Sequence, residues 1–172
     1  MLEVNEYSDL PGVKVYSLRL FPDERGFFCE ALRSDWKEFL GEDQIVQSNI
    51  SYSNPGVIRA WHRHVREQVD YFLVLQGSVK ICAYDDRVTS PDTKGQLVEI
   101  VSSSHRLQLV RIPGIYWHGI KNVSSEPSLT VYFTTMLYDY QNPDEERRVW
   151  NDQTIIDPKT AEPFDWNKPP HK

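Results

Sequence analysis

Short segments in which apolar and polar residues alternate recur along the chain and predict β-strands. Val79, Ile81 and Ala83 fall at a period of two, which is the spacing of a half-buried strand. The residues from Tyr71 to Leu75 form a continuous apolar run, which is typical of a strand buried on both faces. The further strand-like segments are 13–20, 107–110 and 129–133.

One helix is predicted to interrupt this pattern. Asp35 can cap it, Glu38 stands three residues later as in a capping box, and Gly41 can end it. Turn-forming residues separate the strand segments at 53–56, 76–78, 90–92 and 124–127. Many short strands with one or two short helices favour an all-β sandwich or barrel. We expect one domain spanning 1–172, in which the proline- and lysine-rich stretch 157–172 is an irregular surface extension.

Composition excludes several classes of protein. The formal net charge is −6 and there is no basic run, which argues against nucleic-acid binding. No apolar run approaches the ~20 residues that a membrane-spanning helix needs, and the first residues lack the pattern of a signal peptide. Cys29 and Cys82 form no close-spaced motif, so two reduced thiols are expected. We therefore expect a cytoplasmic protein.

The first candidate functional residues are histidines in two blocks of strand-like sequence. His62 and His64 are followed by Asp70, which stands seven positions before a glycine, and His118 stands five positions after a proline. These blocks resemble the paired motifs of the cupin superfamily, which implies a cupin-type double-stranded β-helix, or jelly roll. In metal-binding cupins the same four positions hold an ion, and three imidazoles with one carboxylate suit Fe, Mn, Ni or Zn. A metal-dependent cupin enzyme is therefore one hypothesis.

Longer motifs resemble the dTDP-4-dehydrorhamnose 3,5-epimerase family of the same superfamily. They occur in the family's order and extend over most of the chain. The matching segments are D-E-R-G-F-F-C-E at 23–30, Q-S-N-I-S at 47–51, V-I-R-A-W-H at 57–62, H-G at 118–119, Y-F-T-T at 132–135 and W-N-D at 150–152.

The resemblance implies an isomerase that epimerises a nucleotide-linked 4-keto-6-deoxyhexose for deoxysugar and surface-polysaccharide biosynthesis. His62 would be the base that removes an acidified sugar proton, and Tyr132 would be the acid that returns one. The family requires no cofactor or metal, and it implies a homodimer. The implied substrate-binding residues are Arg25, Phe28, Glu30, Gln47, Asn49, Arg59, Asp70, His118 and Tyr138.

The chain also departs from the family. Asp70 stands where the family has a lysine that stabilises the enolate oxygen. A carboxylate there reverses the sign of an electrostatic stabilisation worth a few kcal/mol. The C-terminal S-x-K-D segment, whose aspartate orients the base, is missing, although Asp152, Asp157 and Asp165 are present. A non-catalytic nucleotide-sugar binder therefore remains a third hypothesis.

Two further sets of residues are expected to lie outside the catalytic site. His64, beside Arg63, is expected to be a surface or packing histidine if no metal is bound. Arg147 and Arg148 follow an acidic run and are expected to form a solvated charge cluster.

Overall fold

The computed structural model describes residues 4–168 of the chain, in which fifteen strands and one short helix form. The helix is α1 (Lys37–Leu40). The strands are β1 (Val4–Glu6), β2 (Lys14–Ser17), β3 (Leu20–Asp23), β4 (Gly26–Cys29), β5 (Gln47–Ser53), β6 (Ile58–Arg63), β7 (Val69–Gln76), β8 (Ser78–Tyr84), β9 (Leu97–Ser103), β10 (Gln108–Pro113), β11 (Trp117–Asn122), β12 (Ser128–Thr134), β13 (Glu146–Arg147), β14 (Ile156–Asp157) and β15 (Glu162–Pro163).

Two antiparallel sheets carry most of the strands. One sheet has the order β1-β2-β10-β7-β12-β5, and the other has the order β13-β6-β11-β8-β9. The β3–β4 and β14–β15 pairs form separate two-stranded sheets. The predicted all-β class with a short helix is confirmed. Within residues 4–168, no helix is long and apolar enough to cross a membrane.

The main core lies between the two sheets. The alternation at Val79, Ile81 and Ala83 points these side chains inward, where each is at most 1% exposed. They pack against Phe72 and Val110 of the facing sheet. The strand predicted from Tyr71 is buried on both faces as far as Val74, because a second core under α1 covers the other side of its sheet.

The end of the described chain belongs to a third core cluster, so the prediction of an irregular surface extension is wrong for this part. Phe164 is 5% and Trp166 is 1% exposed, and both pack against Trp61 with ring centroids 5.6 and 4.8 Å away. Lys168 then pairs with Glu99 at 2.6 Å. Two aromatic residues among prolines and lysines have no periodicity, so the pattern gave no sign of their burial.

The helix ends as predicted but begins differently. Gly41 follows its last residue with a φ of 61°, a conformation that glycine adopts without strain. The N-cap residue is Trp36, not Asp35, and it makes no side-chain capping bond. The Asp35 carboxylate instead accepts hydrogen bonds at 2.8 and 2.6 Å from Arg33, so the expected capping box does not form. Both Cys29 and Cys82 are free, as expected.

We predict that Trp166→Ala lowers the free energy of unfolding by about 3–5 kcal/mol, because it leaves a cavity beneath Trp61. Urea denaturation measures this loss. Trp150→Ala is the matched control, since the Trp150 side chain is 44% exposed and should cost less than about 1 kcal/mol. A loss in Trp166→Ala as small as the one expected for the control would show that the C-terminal segment does not stabilise the core.

Candidate active site

A cavity of about 710 Å³ opens between the two sheets. One wall comes from β5, β7 and β12 of the six-stranded sheet, and the other comes from β6 of the five-stranded sheet. This volume lies in the usual range of small-molecule sites. Of the residues that the sequence nominated, those lining it are Gln47, Asn49, Arg59, His62, His64, Asp70, Tyr132 and Tyr138.

The pairing of β6 with β11 brings two histidines together. His62 lies directly opposite His118 in the register, and their ring centroids are 4.1 Å apart. A shift in register follows immediately at Gly119. A Cβ at this glycine would overlap Ala60 and would lie 2.8 Å from the carbonyl oxygen of Arg59. Glycine at 119 is therefore required for the close approach of the two strands.

Asp70 reaches these histidines from the opposite sheet. Its Oδ2 lies 3.2 Å from His118 Nε2, 3.3 Å from His64 Nε2 and 4.0 Å from His62 Nε2. The other oxygen, Oδ1, accepts a hydrogen bond at 2.7 Å from the amide of Gln68. Asp70 is 2% exposed, so this carboxylate sits at the buried end of the cavity.

Backbone carbonyls fix the orientation of two of the three imidazoles. His64 Nδ1 lies 2.7 Å from the carbonyl oxygen of Asp144, and His118 Nδ1 lies 2.9 Å from that of Tyr116. A carbonyl only accepts, so each Nδ1 carries a proton and donates it. Each Nε2 therefore faces Asp70 as a lone pair in the neutral ring and as a donor only in the imidazolium.

His62 is held differently. In residues 4–168 neither of its ring nitrogens makes a hydrogen bond, and its side chain keeps 24% exposure toward the cavity. Desolvation, followed by the neighbouring His118, lowers the pKa of His62 well below its usual value, although Asp70 opposes this. A neutral imidazole with an open nitrogen is suited to accepting a proton.

The Asp70 carboxylate has the opposite tendency. Burial disfavours its charged form, but hydrogen bonds and positive charge from the His118 and His64 rings, when these are protonated, hold the pKa of Asp70 well below its usual range. An ionised carboxylate thus stands at the position for which the family resemblance implies a lysine.

Tyr132 lies on β12, in the wall opposite His62. Its ring is 6.0 Å from that of Phe72, and burial raises the pKa of Tyr132. The phenol therefore keeps its proton at neutral pH.

Gln47 donates a 2.8 Å hydrogen bond to Asn49 and accepts one at 2.9 Å from the backbone N–H of Tyr138.

Four nominated residues do not line the cavity. His118 is fully buried behind its wall. Arg25, Phe28 and Glu30 lie on or just after the β3–β4 hairpin, where Phe28 is 65% exposed. Within the described chain these three residues do not line the cavity. They could contact a substrate only in the pocket of a second protein copy.

A family model described as dTDP-4-dehydrorhamnose 3,5-epimerase matches residues 7–159. The chain is 43% identical over 139 residues to the probable low-salt glycan biosynthesis epimerase Agl13 of Haloferax volcanii, covering 81% of this chain and 87% of that protein. It is 37% identical over 158 residues to the spore coat polysaccharide biosynthesis protein SpsL of Bacillus subtilis, covering 92% and 97%.

The comparison with solved structures indicates the same family. The crystal structure of dTDP-6-deoxy-D-glucose-3,5-epimerase RmlC from Legionella pneumophila, in complex with dTDP-4-keto-L-rhamnose, matches with a TM-score of 0.79 and 30% identity over 91% of this chain and 83% of that chain. This chain belongs to the dTDP-4-dehydrorhamnose 3,5-epimerase family. The predicted cupin-type jelly roll is thereby confirmed, together with the family resemblance.

Sequence reasoning missed part of this epimerase-family pocket. Arg147 and Arg148 were expected to form a solvated charge cluster, and both line the cavity. The expectation is confirmed for Arg147, which is 76% exposed and pairs with Glu145, whereas the Arg148 side chain is only 25% exposed. The Arg148 guanidinium lies 4.0 Å from the centroid of the Trp117 ring and pairs with Asp86. The only signal was their place just before the W-N-D motif. His64 was expected at the surface or in packing without a metal, and it is buried against Asp70 at the cavity's end.

In the described residues, none of the candidate aspartates takes the place of the family's aspartate that orients the base. Asp152 accepts hydrogen bonds from Thr154, and Asp157 accepts one from Lys168. In the described residues neither these carboxylates nor Asp165 bonds to His62. The nearest acid is Asp70, whose Oδ2 at 4.0 Å is beyond hydrogen-bond distance of His62 Nε2.

We predict that Gly119→Ala lowers the free energy of unfolding by about 1–3 kcal/mol, because the new methyl group forces β6 away from β11. Chemical denaturation measures the loss. Ala60→Gly on the Gly119→Ala background should recover part of it, since Ala60 Cβ is the nearest obstacle. Wild-type stability of the single variant would contradict the close approach of these strands.

Proposed function

We propose that this protein epimerises a nucleotide-linked 4-keto-6-deoxyhexose, with His62 as the base and Tyr132 as the acid. One observation carries the proposal: these two side chains line the same cavity from opposite sheets. Inversion of a carbon requires that a proton leaves one face and that another arrives at the opposite face. A base and an acid on facing walls meet this requirement.

The chemistry follows from the keto group. His62 accepts a proton from a carbon beside the 4-keto group, and the electron pair of the broken C–H bond forms the C=C bond of an enolate. The negative charge moves to the keto oxygen. Tyr132 then donates its phenolic proton to the opposite face of the carbon, which restores the ketone. Proton exchange with water returns His62 and Tyr132 to their starting forms.

The remaining polar wall suits the rest of such a substrate. Arg59 and Arg147 bring guanidinium groups to the cavity, where Arg147 pairs with Glu145, and Gln47 and Asn49 bring amide groups to it. Arginine forks recognise phosphate oxygens. The nucleotide part is supported by the relatives, because the structure from Bacillus anthracis, with 28% identity and a TM-score of 0.80, contains TDP and PPi. Two free cysteines fit the reducing conditions of the cytoplasm, where we place the activity.

We further propose that the protein is a homodimer whose second copy completes the pocket. Arg25 and Phe28 lie away from the cavity of their own chain, on a hairpin outside both main sheets. The edge strand β5 also presents Ile50 and Tyr52, which are 71% and 57% exposed. Apolar exposure on an edge strand is a feature of association surfaces.

We predict that His62→Asn abolishes the incorporation of solvent deuterium into dTDP-4-keto-6-deoxyglucose, because no other group in this account accepts the proton. Tyr132→Phe should retain exchange but lose the inverted product, because the proton must return from the wall of His62. Proton NMR in deuterium oxide follows both outcomes.

His105→Ala is the matched control, since His105 is exposed and lies outside the cavity. Undiminished exchange in His62→Asn would remove His62 from the mechanism. Tight nucleotide binding without exchange in the wild-type protein would favour a non-catalytic nucleotide-sugar binder.

Subunit mixing tests the shared pocket. Arg25→Ala and His62→Asn should each be inactive alone, whereas a refolded equal mixture should recover about a quarter of wild-type activity. Half of randomly formed dimers are mixed, and each of these has one intact site. Steady-state turnover measures the recovery. No recovery, or a monomeric mass near 20.1 kDa by light scattering, would contradict the proposal.

A further inference from the structure

The contact between His118 Nε2 and Asp70 Oδ2 requires a positive charge, either a proton or another cation, between the two atoms. His118 Nδ1 donates to the Tyr116 carbonyl, so its Nε2 lone pair points at Asp70 Oδ2 from 3.2 Å in the neutral ring. Two electron-rich atoms at this distance repel each other. Either a second proton or a cation must lie between them.

His64 is in the same situation. Its Nδ1 donates to the Asp144 carbonyl, and its Nε2 faces the same carboxylate oxygen from 3.3 Å. The Gln68 amide is a nearby donor at 3.3 Å from His64 Nε2, but it also donates to Asp70 Oδ1 at 2.7 Å. In the described residues His118 Nε2 has no comparable donor. Protonation of both rings would place two imidazolium ions 5.5 Å apart, centroid to centroid, in a nearly dry site.

The two distances to Asp70 Oδ2 also fit a metal ion. Ligands about 2.1 Å from an ion are roughly 3.0 Å apart at octahedral and roughly 3.4 Å apart at tetrahedral angles. The separations of 3.2 and 3.3 Å fall between these values. Ligand histidines normally donate their other ring nitrogen to a carbonyl or carboxylate, and both His64 and His118 do so.

His62 differs on both points. Its Nε2 is 4.0 Å from Asp70 Oδ2, which would need a ligand–metal–ligand angle of about 145°. Its ring also lacks the supporting hydrogen bond that the other two rings make within residues 4–168. It lies beside such a site without completing it, although all four candidate atoms are within 4.8 Å of one another.

We propose that His64, Asp70 and His118 bind one divalent first-row transition-metal ion, which leaves His62 free as the base. The ion would be open to the cavity, because His64 and Asp70 line it. Its catalytic role rests on the proposed function: it stabilises negative charge on the 4-keto oxygen during proton transfer. A cation held by Asp70 thus performs the task that the lysine at this position performs in related epimerases.

The first experiment measures binding directly. Untagged protein, freed of metal with a chelator, is titrated with Zn²⁺ by calorimetry. One ion per chain is expected, and His118→Ala or Asp70→Asn should weaken binding more than about 100-fold, since loss of an outer partner alone costs 10–100-fold. His62→Ala and the exposed control His105→Ala should bind as the wild type does.

A second measurement does not depend on a variant that folds. Co²⁺ added to the wild-type protein should give visible absorption that saturates at one equivalent, as protein ligands replace water. If neither Zn²⁺ nor Co²⁺ binds at one ion per chain, the proposal of a metal site is wrong. Loss of binding in His62→Ala, equal to that in His118→Ala, would make His62 a ligand and overturn the assignment.

The catalytic role has its own test. Chelated wild-type protein should exchange sugar protons at least tenfold more slowly than Zn²⁺-loaded protein, whereas Asp70→Lys should exchange them equally with and without Zn²⁺. Equal exchange by the two wild-type forms would overturn the role of the ion but leave the proposed function intact. Stoichiometric metal without exchange in any form would overturn the proposed function and the catalytic role, while the site itself would stand.

Discussion

The arrangement of the pocket depends on one interaction, the convergence of imidazole rings on a single carboxylate oxygen of Asp70. That oxygen comes from the six-stranded sheet, and the rings come from β6, the segment after it, and β11 of the other sheet. The cluster therefore joins the two halves of the sandwich at the closed end of the cavity. Asp70, His64 and His118 are buried, so each of their polar atoms needs a partner inside the protein.

The backbone determines which atoms meet there. Carbonyl oxygens of Tyr116 and Asp144 hold the Nδ1 atoms of two rings, which turns both Nε2 atoms toward Asp70. His62 has no such partner in the described residues and is the histidine left open to the cavity. One cluster thus contains two kinds of histidine, which differ in their hydrogen bonds rather than in their residue type. On this difference we base the proposal that two of the histidines bind a cation and the third accepts a proton.

Much of the fold could be predicted from the sequence, because the two-residue period at Val79, Ile81 and Ala83 directly reflects burial on one face. The end of α1 at Gly41 followed from local chemistry in the same way. The burial of Trp166 could not be predicted, since it depends on a distant partner, Trp61, and not on any local period.

The candidate site divides similarly. Residues inside quoted motifs, such as His62 and Tyr132, could be nominated from the sequence, and both line the cavity. The burial of His64 beside Asp70 depends on the tertiary arrangement, and no local pattern indicates the distance between them. Arg148 was expected in a solvated cluster because surface charges usually are, and its stacking on Trp117 depends on the pairing of β13 and β11 with β6 in one sheet. The roles of all these residues remain predictions.

The most direct measurement is a two-bond ¹H–¹⁵N NMR spectrum of the histidine side chains in the Zn²⁺-loaded protein at neutral pH. We predict that His64 and His118 carry a proton on Nδ1 alone and that His62 is neutral. Protons on both nitrogens of His64 and His118 would instead show an imidazolium pair around Asp70. That result would contradict both the metal site and the division of roles among the three histidines.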